Sequence, residues 1–327
     1  MIKHFLSSLS YVFALTAAAF SAQAIAQEAW PSRAIRLVVP FQAGSATDAA
    51  ARVVGSKLST LLQQTVIIDN RVGGSGLIGA AAVARAPADG YTILLGTVST
   101  QVVSVILNPK LSFDPEKDLE PVGLIGTSPY VLVSSSKSAA RDIQGLIAEA
   151  RAKPGNLTYA SAGTTSMANF VAQLFSSKAE VQLTHVPYKS SAQAVVDTIN
   201  GTVGLQFGTV MPVLTHIKSG SLKAFAVTGT KRLALLPDVP TLSEVGLRGF
   251  DVGLWMGLFS PKGTPVQVLE KLSAALSATL SDAEVQKAFL AQGIEISPIR
   301  REEFAKFVRA ETGKWSQVVK TAGITEE

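Results

Sequence analysis

The chain has 327 residues, no cysteine, 29 Lys and Arg against 24 Asp and Glu, and a formal net charge of +5. The missing thiols exclude a disulfide framework and a thiolate metal site, and the modest, scattered charge is far from the clustered basic stripe of a nucleic-acid binder. Roughly 300 residues past an N-terminal leader are enough for two ordinary domains with a cleft between them.

The leader is read first. Lys3 and His4 precede an apolar run from Phe5 to Phe20, followed by Ser21-Ala22-Gln23-Ala24-Ile25-Ala26. This is the pattern of a secretory signal peptide over residues 1–26, with small-x-small cleavage sites and Gln27 as the mature start. The run is too short to span a bilayer comfortably, so the mature protein is expected in the periplasm.

Leu37-Val38-Val39 is a continuous apolar run of the kind found in a strand covered on both faces. Pro40 ends it, and the small residues from Gln42 to Thr47 lead into a helix running to about Leu58. Ser45 or Thr47 can cap that helix and Asp48 falls in its first turn. Free N–H groups at such a start face the carboxyl end of the strand, where open α/β sheets bind ligands. Any βα turn of an α/β protein can look like this, so the loop alone does not decide the matter.

Strands and helices then alternate in the pattern of a mostly parallel sheet. Val66 to Asp69 reads as a strand, Gly73 to Gly76 as a turn into an Ala-rich helix ending near Ala86, and Thr92 to Gly96 as a strand ending at Thr97. A Pro-punctuated loop around Pro109 and Pro115 follows, and Val122 to Val133 is extended and apolar, suited to carry the chain into a second domain.

From there the pattern restarts. A helix from Asp142 to Ala152 and a strand at Leu157 to Ala160 lead to Ser161-Ala162-Gly163-Thr164-Thr165-Ser166, a second small, hydroxylated loop opening a helix. Strands at Leu183 to Val186 and Val203 to Phe207, helices near Ala192 to Asn200 and Met211 to Ser219, and a return crossing at Leu222 to Thr228 complete this part. Past Pro240 come a loop holding Trp255, helices from Pro265 to Leu280 and Glu284 to Ala291, a strand near Ile294 to Ser297 and a long helix from Glu302 to Ala322. The expected organisation is a discontinuous first domain of residues 27–126 plus 229–327 and an inserted second domain of residues 127–228.

Catalytic and cofactor motifs mostly fail. Gly74-Ser75-Gly76-Leu77-Ile78-Gly79 matches G-x-G-x-x-G, yet the next strand ends at Gly96-Thr97 where a ribose-binding acid should stand. The glycines then serve close packing. The histidines are His4, His185 and His216, and no G-x-S-x-G elbow occurs, so a hydrolase is hard to build. His185 reads as a hydrogen-bonded structural residue and His216 as a solvated one. No His/Asp/Glu set has metal-ligand spacing. Trp255 reads as core or as a ligand contact, and Tyr188 with Lys189 as a contact or a packed loop.

Several ordered segments carry a family resemblance across the mature chain: Trp30 to Phe41, Ala43-Gly44 with Thr47-Asp48, Asp69-Asn70-Arg71, Asp89-Gly90-Tyr91-Thr92, Tyr159-Ala160-Ser161 with Gly163, His185-Val186-Pro187-Tyr188-Lys189, Leu236 to Thr241, and Trp255-x-Gly257-Leu258. The chain resembles the periplasmic solute-binding proteins of tripartite tricarboxylate transporters, the TctC or Bug family. The resemblance implies a two-lobed periplasmic-binding-protein fold, type II like, of two α/β domains joined by a hinge around a cleft.

It also implies a non-enzymatic, cofactor-free and monomeric protein that holds a small carboxylate between loops and delivers it to a membrane permease. An extracytoplasmic sensor presenting the ligand to a signalling partner is the alternative. The binding residues expected are Phe41, Gln42, Ala43, Gly44, Ser45, Ala46, Thr47 and Asp48 in the first loop. In the second they are Ser161, Ala162, Gly163, Thr164, Thr165 and Ser166, with Tyr188 nearby and Thr97, Phe207 and Thr209 lining the pocket.

The chain departs from the family's usual pattern at Gln42, Ser45, Thr165, Asn169, Gln173 and Ser190. Gly208 stands where an Asp is common, which is expected to remove a partner for a ligand amine and favours an amine-free ligand: a di- or tricarboxylate, a hydroxy acid or an aromatic carboxylate.

Overall fold

The computed structural model describes residues 30–108, 111–164 and 166–322. The predicted leader over residues 1–26, Pro109 and Thr165 lie outside the described residues.

In chain order the elements are β1 (Ile35–Val39), α1 (Ala46–Leu62), β2 (Val66–Asn70), α2 (Leu77–Ala84), β3 (Thr92–Thr97), a π-helical turn Ser99–Val103 continuing into α3 (Ser104–Leu107), α4 (Pro115–Asp118) and β4 (Leu119–Ser135). Next come α5 (Ile143–Ala152), β5 (Thr158–Ser161), α6 (Met167–Ala179), β6 (Thr184–Pro187), α7 (Ser191–Asn200), β7 (Leu205–Thr209), α8 (Val210–Lys218) and β8 (Leu222–Val227). The chain closes with β9 (Gly253–Pro261), α9 (Val266–Leu280), α10 (Ala283–Ala291), β10 (Glu295–Ile296) and α11 (Arg301–Ala322).

The strands follow the order β2-β1-β3-β9-β4-β7-β5-β6, with β8 and β10 also paired to β4. β1 lies parallel to β2 and β3, and β5 parallel to β6 and β7. These are the two strand–loop–helix repeats, each with its own three-stranded parallel core. The expectation of a mostly parallel sheet needs correcting between them. β9 runs antiparallel between β3 and β4, and β4 is antiparallel to β7 and β8, so the sheet is mixed.

The segment expected as a loop around Trp255 is this central strand. Its sequence, Gly-Leu-Trp-Met-Gly-Leu-Phe-Ser-Pro, lacks alternation because both faces are covered: every residue from Leu254 to Pro261 is buried. Gly257 lets α11 lie directly on the sheet, since a Cβ there would meet Phe304 Cζ at 2.3 Å. Trp255 is a core residue, edge-on to Phe304 and Phe307 with ring centroids 5.9 and 5.7 Å away. Rings of this size each bury enough apolar surface to stabilise the fold by about 1.5–3 kcal/mol.

β4 passes through both lobes. Its first half, with Pro121 and two register shifts, pairs with β9 and β10, and its second half with β7 and β8. After β8, Leu233 and Leu236 join a cluster formed by Val131, Val133, Val195, Val210 and Val213. α11 touches both lobes: Phe304 packs on β9, while Trp315 stands edge-on to Phe170 of α6, centroids 6.4 Å apart.

Candidate ligand-binding site

Two helix starts are built alike. At α1, Ser45 is the N-cap and its Oγ accepts from the Asp48 amide at 3.2 Å. At α6, Ser166 is the N-cap and its Oγ accepts from the Asn169 amide at 3.4 Å. Each cap satisfies one orphan donor of its first turn. The amides of Ala46 and Thr47, and of Met167 and Ala168, precede any possible intrahelical acceptor.

In both helices the residue three after the cap is buried and ties back to its loop. Asp48 Oδ2 accepts from the Gly44 amide and from Arg52 Nε, each at 2.9 Å, while Oδ1 accepts from Asn70 Nδ2 at 3.0 Å. The same Asn70 amide donates to the Phe41 carbonyl at 3.0 Å. Burial pushes the Asp48 carboxyl up, but the hydrogen bonds from Arg52, Gly44 and Asn70 and the Arg52 charge together hold it below its ordinary value.

Asn169 Nδ2 donates to the Thr164 carbonyl at 2.6 Å, and its Oδ1 accepts from Tyr159 Oη at 2.6 Å and Gln173 Nε2 at 3.3 Å. The Ser-x-x-Asp and Ser-x-x-Asn spacings in the sequence are a signal that could have found both ties.

The second loop is held at its other end as well. Ser161 Oγ lies 2.8 Å from the Gly163 carbonyl, to which it can donate, and shares a hydrogen bond of 2.7 Å with His185 Nε2. The His185 ring stacks on Tyr159 with centroids 5.0 Å apart. Ser166 Oγ also reaches the Gly163 carbonyl, at 2.7 Å. Gly163 has φ +107°, and Gly44 φ +81°, backbone that an L side chain rarely adopts.

Each loop approaches a segment that neighbours the other. Gln42 Nε2 donates to the Lys189 carbonyl at 3.4 Å, and a Cβ on Gly163 would stand 3.9 Å from Ser75 Oγ. Gln42, Ala43, Gly44 and Ala162 are exposed, and Phe41, Ser45, Gly163, Thr164, Ser166 and Thr209 half-buried. Ala46, Thr47, Asp48 and Ser161 are buried beneath them. Among the described residues of the two loops the only acid is Asp48, already tied to Arg52. Ser75 and Asn70 were read in the sequence but not as site residues, because their place is set by the turn after β2 packing on Phe41. There a Cβ on Gly76 would meet Phe41 Cζ at 3.2 Å.

The remaining expected lining residues are placed differently. Phe207 is a core ring packed on Phe175, centroids 5.6 Å apart. Tyr188 packs beside Ala160, Ala194 and Val203, and its hydroxyl pairs with Asp197; burial, then that bond and charge, raises its pKa. Thr97 is fully buried at the end of β3, its amide donating to Thr100 Oγ1 at 3.0 Å, and its own Oγ1 has no partner among the described residues. Gly208 faces α8: a Cβ there would meet Val213 Cγ1 at 2.5 Å. The inference from a missing carboxylate at 208 therefore fails, since a side chain there meets packing between β7 and α8.

The mixed α/β fold is the two-lobed fold of periplasmic binding proteins. Residues 50–324 match the model of the tripartite tricarboxylate transporter family receptor, and the chain belongs to this TctC family. It is 34% identical to protein BugT of Bordetella pertussis over 316 residues, 96% of this chain and 97% of BugT. Among solved structures it is similar to R. palustris Rpa4515 with adipate, at 33% identity and TM-score 0.87, covering 90% of this chain and 99% of that one. It is also similar to MatC of Rhodopseudomonas palustris with bound malate, at 31% identity and TM-score 0.81, covering 89% and 100%. No helix among the described residues is long and apolar enough to cross a membrane.

Proposed function

We propose that this receptor closes on a small amine-free carboxylate held between the loop Phe41 to Asp48 and the loop Ser161 to Ser166, and delivers it to the membrane permease of a tripartite transporter. The observation that carries this reading is the pair of helix starts built alike. Each has a serine cap, a buried third-residue tie and first-turn amides without an intrahelical acceptor. Donors fixed in this way need no reorganisation when an anion arrives, and each charge-assisted bond contributes roughly 1.5–3 kcal/mol.

The loops offer no free carboxylate among their described residues, so an ammonium group would lack a charged partner there. Adipate with Rpa4515 and malate with MatC are of the ligand class proposed. The protein acts as a monomer and a binder rather than an enzyme, exported by a cleaved leader.

Closure swings about β4 near Ser128–Tyr130 and the start of β9. There Tyr130 and Thr228 exchange hydrogen bonds at 2.9 and 3.0 Å, and Val252 donates to the Thr228 carbonyl at 3.2 Å. In this reading the second crossing falls at the start of β9 instead of residue 229, which the packing of Leu233 and Leu236 with Val131, Val133 and Val213 supports. Ligand shifts the open–closed equilibrium only by its differential affinity for the two states.

The test is thermal unfolding of the mature protein against di- and tricarboxylates, hydroxy acids, aromatic carboxylates, acidic amino acids and sugars. A ligand at one hundred times its Kd adds about 2.7 kcal/mol of stability. Midpoint shifts confined to amine-free carboxylates support the reading. Shifts with aspartate or glutamate alone, or with sugars alone, refute it.

A further inference from the structure

A cavity of about 230 Å³ lies in the first lobe, outside the loops described above, between the π-turn with α3, α4, the end of β9 and the first half of α11. Val105, Leu119, Phe259 and Val308 give it an apolar wall. A dry apolar cavity of roughly 150 Å³ holds benzene, so this one has room for an aromatic ring with a short polar arm.

One polar group of the lining is both buried and unmet. Arg301 leads the stripe Arg301, Ala305, Val308 and Thr312 that α11 turns toward the cavity at helical spacing. Its guanidinium reaches past the lining to Glu270, which takes Nη1. Nε, nearer the stem, is buried and has no acceptor among the described residues. A buried N–H of this kind calls for a ligand that accepts, and a donor on a charged group makes the stronger sort of hydrogen bond.

The charges around the cavity decide which kind of acceptor fits. Arg301 is paired with Glu270, Lys262 with Glu120 at 2.8 Å, and Asp114 with Lys117 at 2.7 Å. Of the lining groups without an ion-pair partner among the described residues, two are acids, Glu116 and Glu302, and one is a cation, Arg309. All three are exposed, so they stand at the solvent rim of the cavity. A carboxylate entering here would leave water with no free buried cation to receive it, and an ammonium would meet another donor at the one unmet group. An uncharged acceptor has neither penalty.

The geometry points to a second ligand site in this cavity, for a small uncharged carbonyl compound with an aromatic body, its oxygen accepting from Arg301 Nε and its ring lying against Phe259 and Val308. The site is independent of the carboxylate loops, so its fate is separate from theirs.

The experiment is calorimetric titration of acetophenone into the mature protein, followed by a crystal structure of the soaked complex. α-Methylstyrene, in which a CH₂ group replaces the carbonyl oxygen, runs beside it. Both are repeated on Arg301→Met, which keeps an unbranched stem and removes the N–H. Expected are one acetophenone per chain in this cavity and a loss of about tenfold or more in its affinity on Arg301→Met, the equivalent of one hydrogen bond to a charged donor, with α-methylstyrene changed by less than about twofold. Benzoate, the anionic counterpart, should leave the cavity empty in a parallel soak. Val308→Trp fills the cavity and should abolish acetophenone binding, and Ala305→Phe on the same wall should do so if the first variant melts early. Equal losses for the two probes on Arg301→Met, benzoate in the cavity, binding undiminished in a folded filled-cavity variant, or no binding of acetophenone up to about 10 mM each overturns the proposal.

Discussion

Asp48→Asn tests whether the first helix start is organised by its buried carboxylate. Asp48 accepts on both oxygens: Gly44 and Arg52 on one, Asn70 on the other. Asparagine keeps the shape but presents one acceptor and one NH₂ group, so one set of donors meets a donor. Asn70 cannot rotate to relieve this, because its amide nitrogen also holds the Phe41 carbonyl. With Asp48 only 2% exposed, leaving one buried donor unpaired costs about 1–3 kcal/mol. For a chain of roughly 300 residues about 2 kcal/mol lowers the midpoint by roughly 3 °C.

The assay is thermal unfolding at pH 7 and along an acid series. The folded carboxyl lies below its ordinary value of 3.8, so its contribution is present above that value and is lost as pH falls through the lowered folded pKa. The gap between wild type and Asp48→Asn should be full at neutral pH and should close in that acid window, where a protonated Asp48 resembles asparagine. A midpoint within about 1 °C of wild type at pH 7, or a gap that does not narrow on acidification, would show that the carboxylate does not organise the loop.

Other substitutions separate capping, backbone and ligand effects. Ser45→Ala and Ser166→Ala each remove a capping acceptor and should lower stability by about 1 kcal/mol in urea unfolding while weakening carboxylate binding; unchanged affinity in both would uncouple the caps from the site. Gly163→Ala imposes a side chain at φ +107° and places a methyl 3.9 Å from Ser75 Oγ, so calorimetry should show weaker ligand binding with a stability loss of roughly 1–2 kcal/mol.

The sequence by itself determined the two strand–loop–helix repeats and the long apolar β4, and narrowed the first cap to Ser45 or Thr47, because each rests on contacts within a few residues along the chain. Ser45 and Asp48, or Ser166 and Asn169, are neighbours on one helical turn, so their pairing is written in their spacing. Tertiary structure alone decided the rest. β9 became the central antiparallel strand because β3 and β4 flank it and α11 covers it, and a strand buried on both faces loses the alternation that would mark it. Phe207 was assigned to the cleft by its place in the chain, yet packing on Phe175 draws that ring into the core. The approach of Gln42 to Lys189 and of Gly163 to Ser75 depends on contacts more than eighty residues apart in sequence. Such contacts form only when separate elements pack, and no local pattern of residues encodes them.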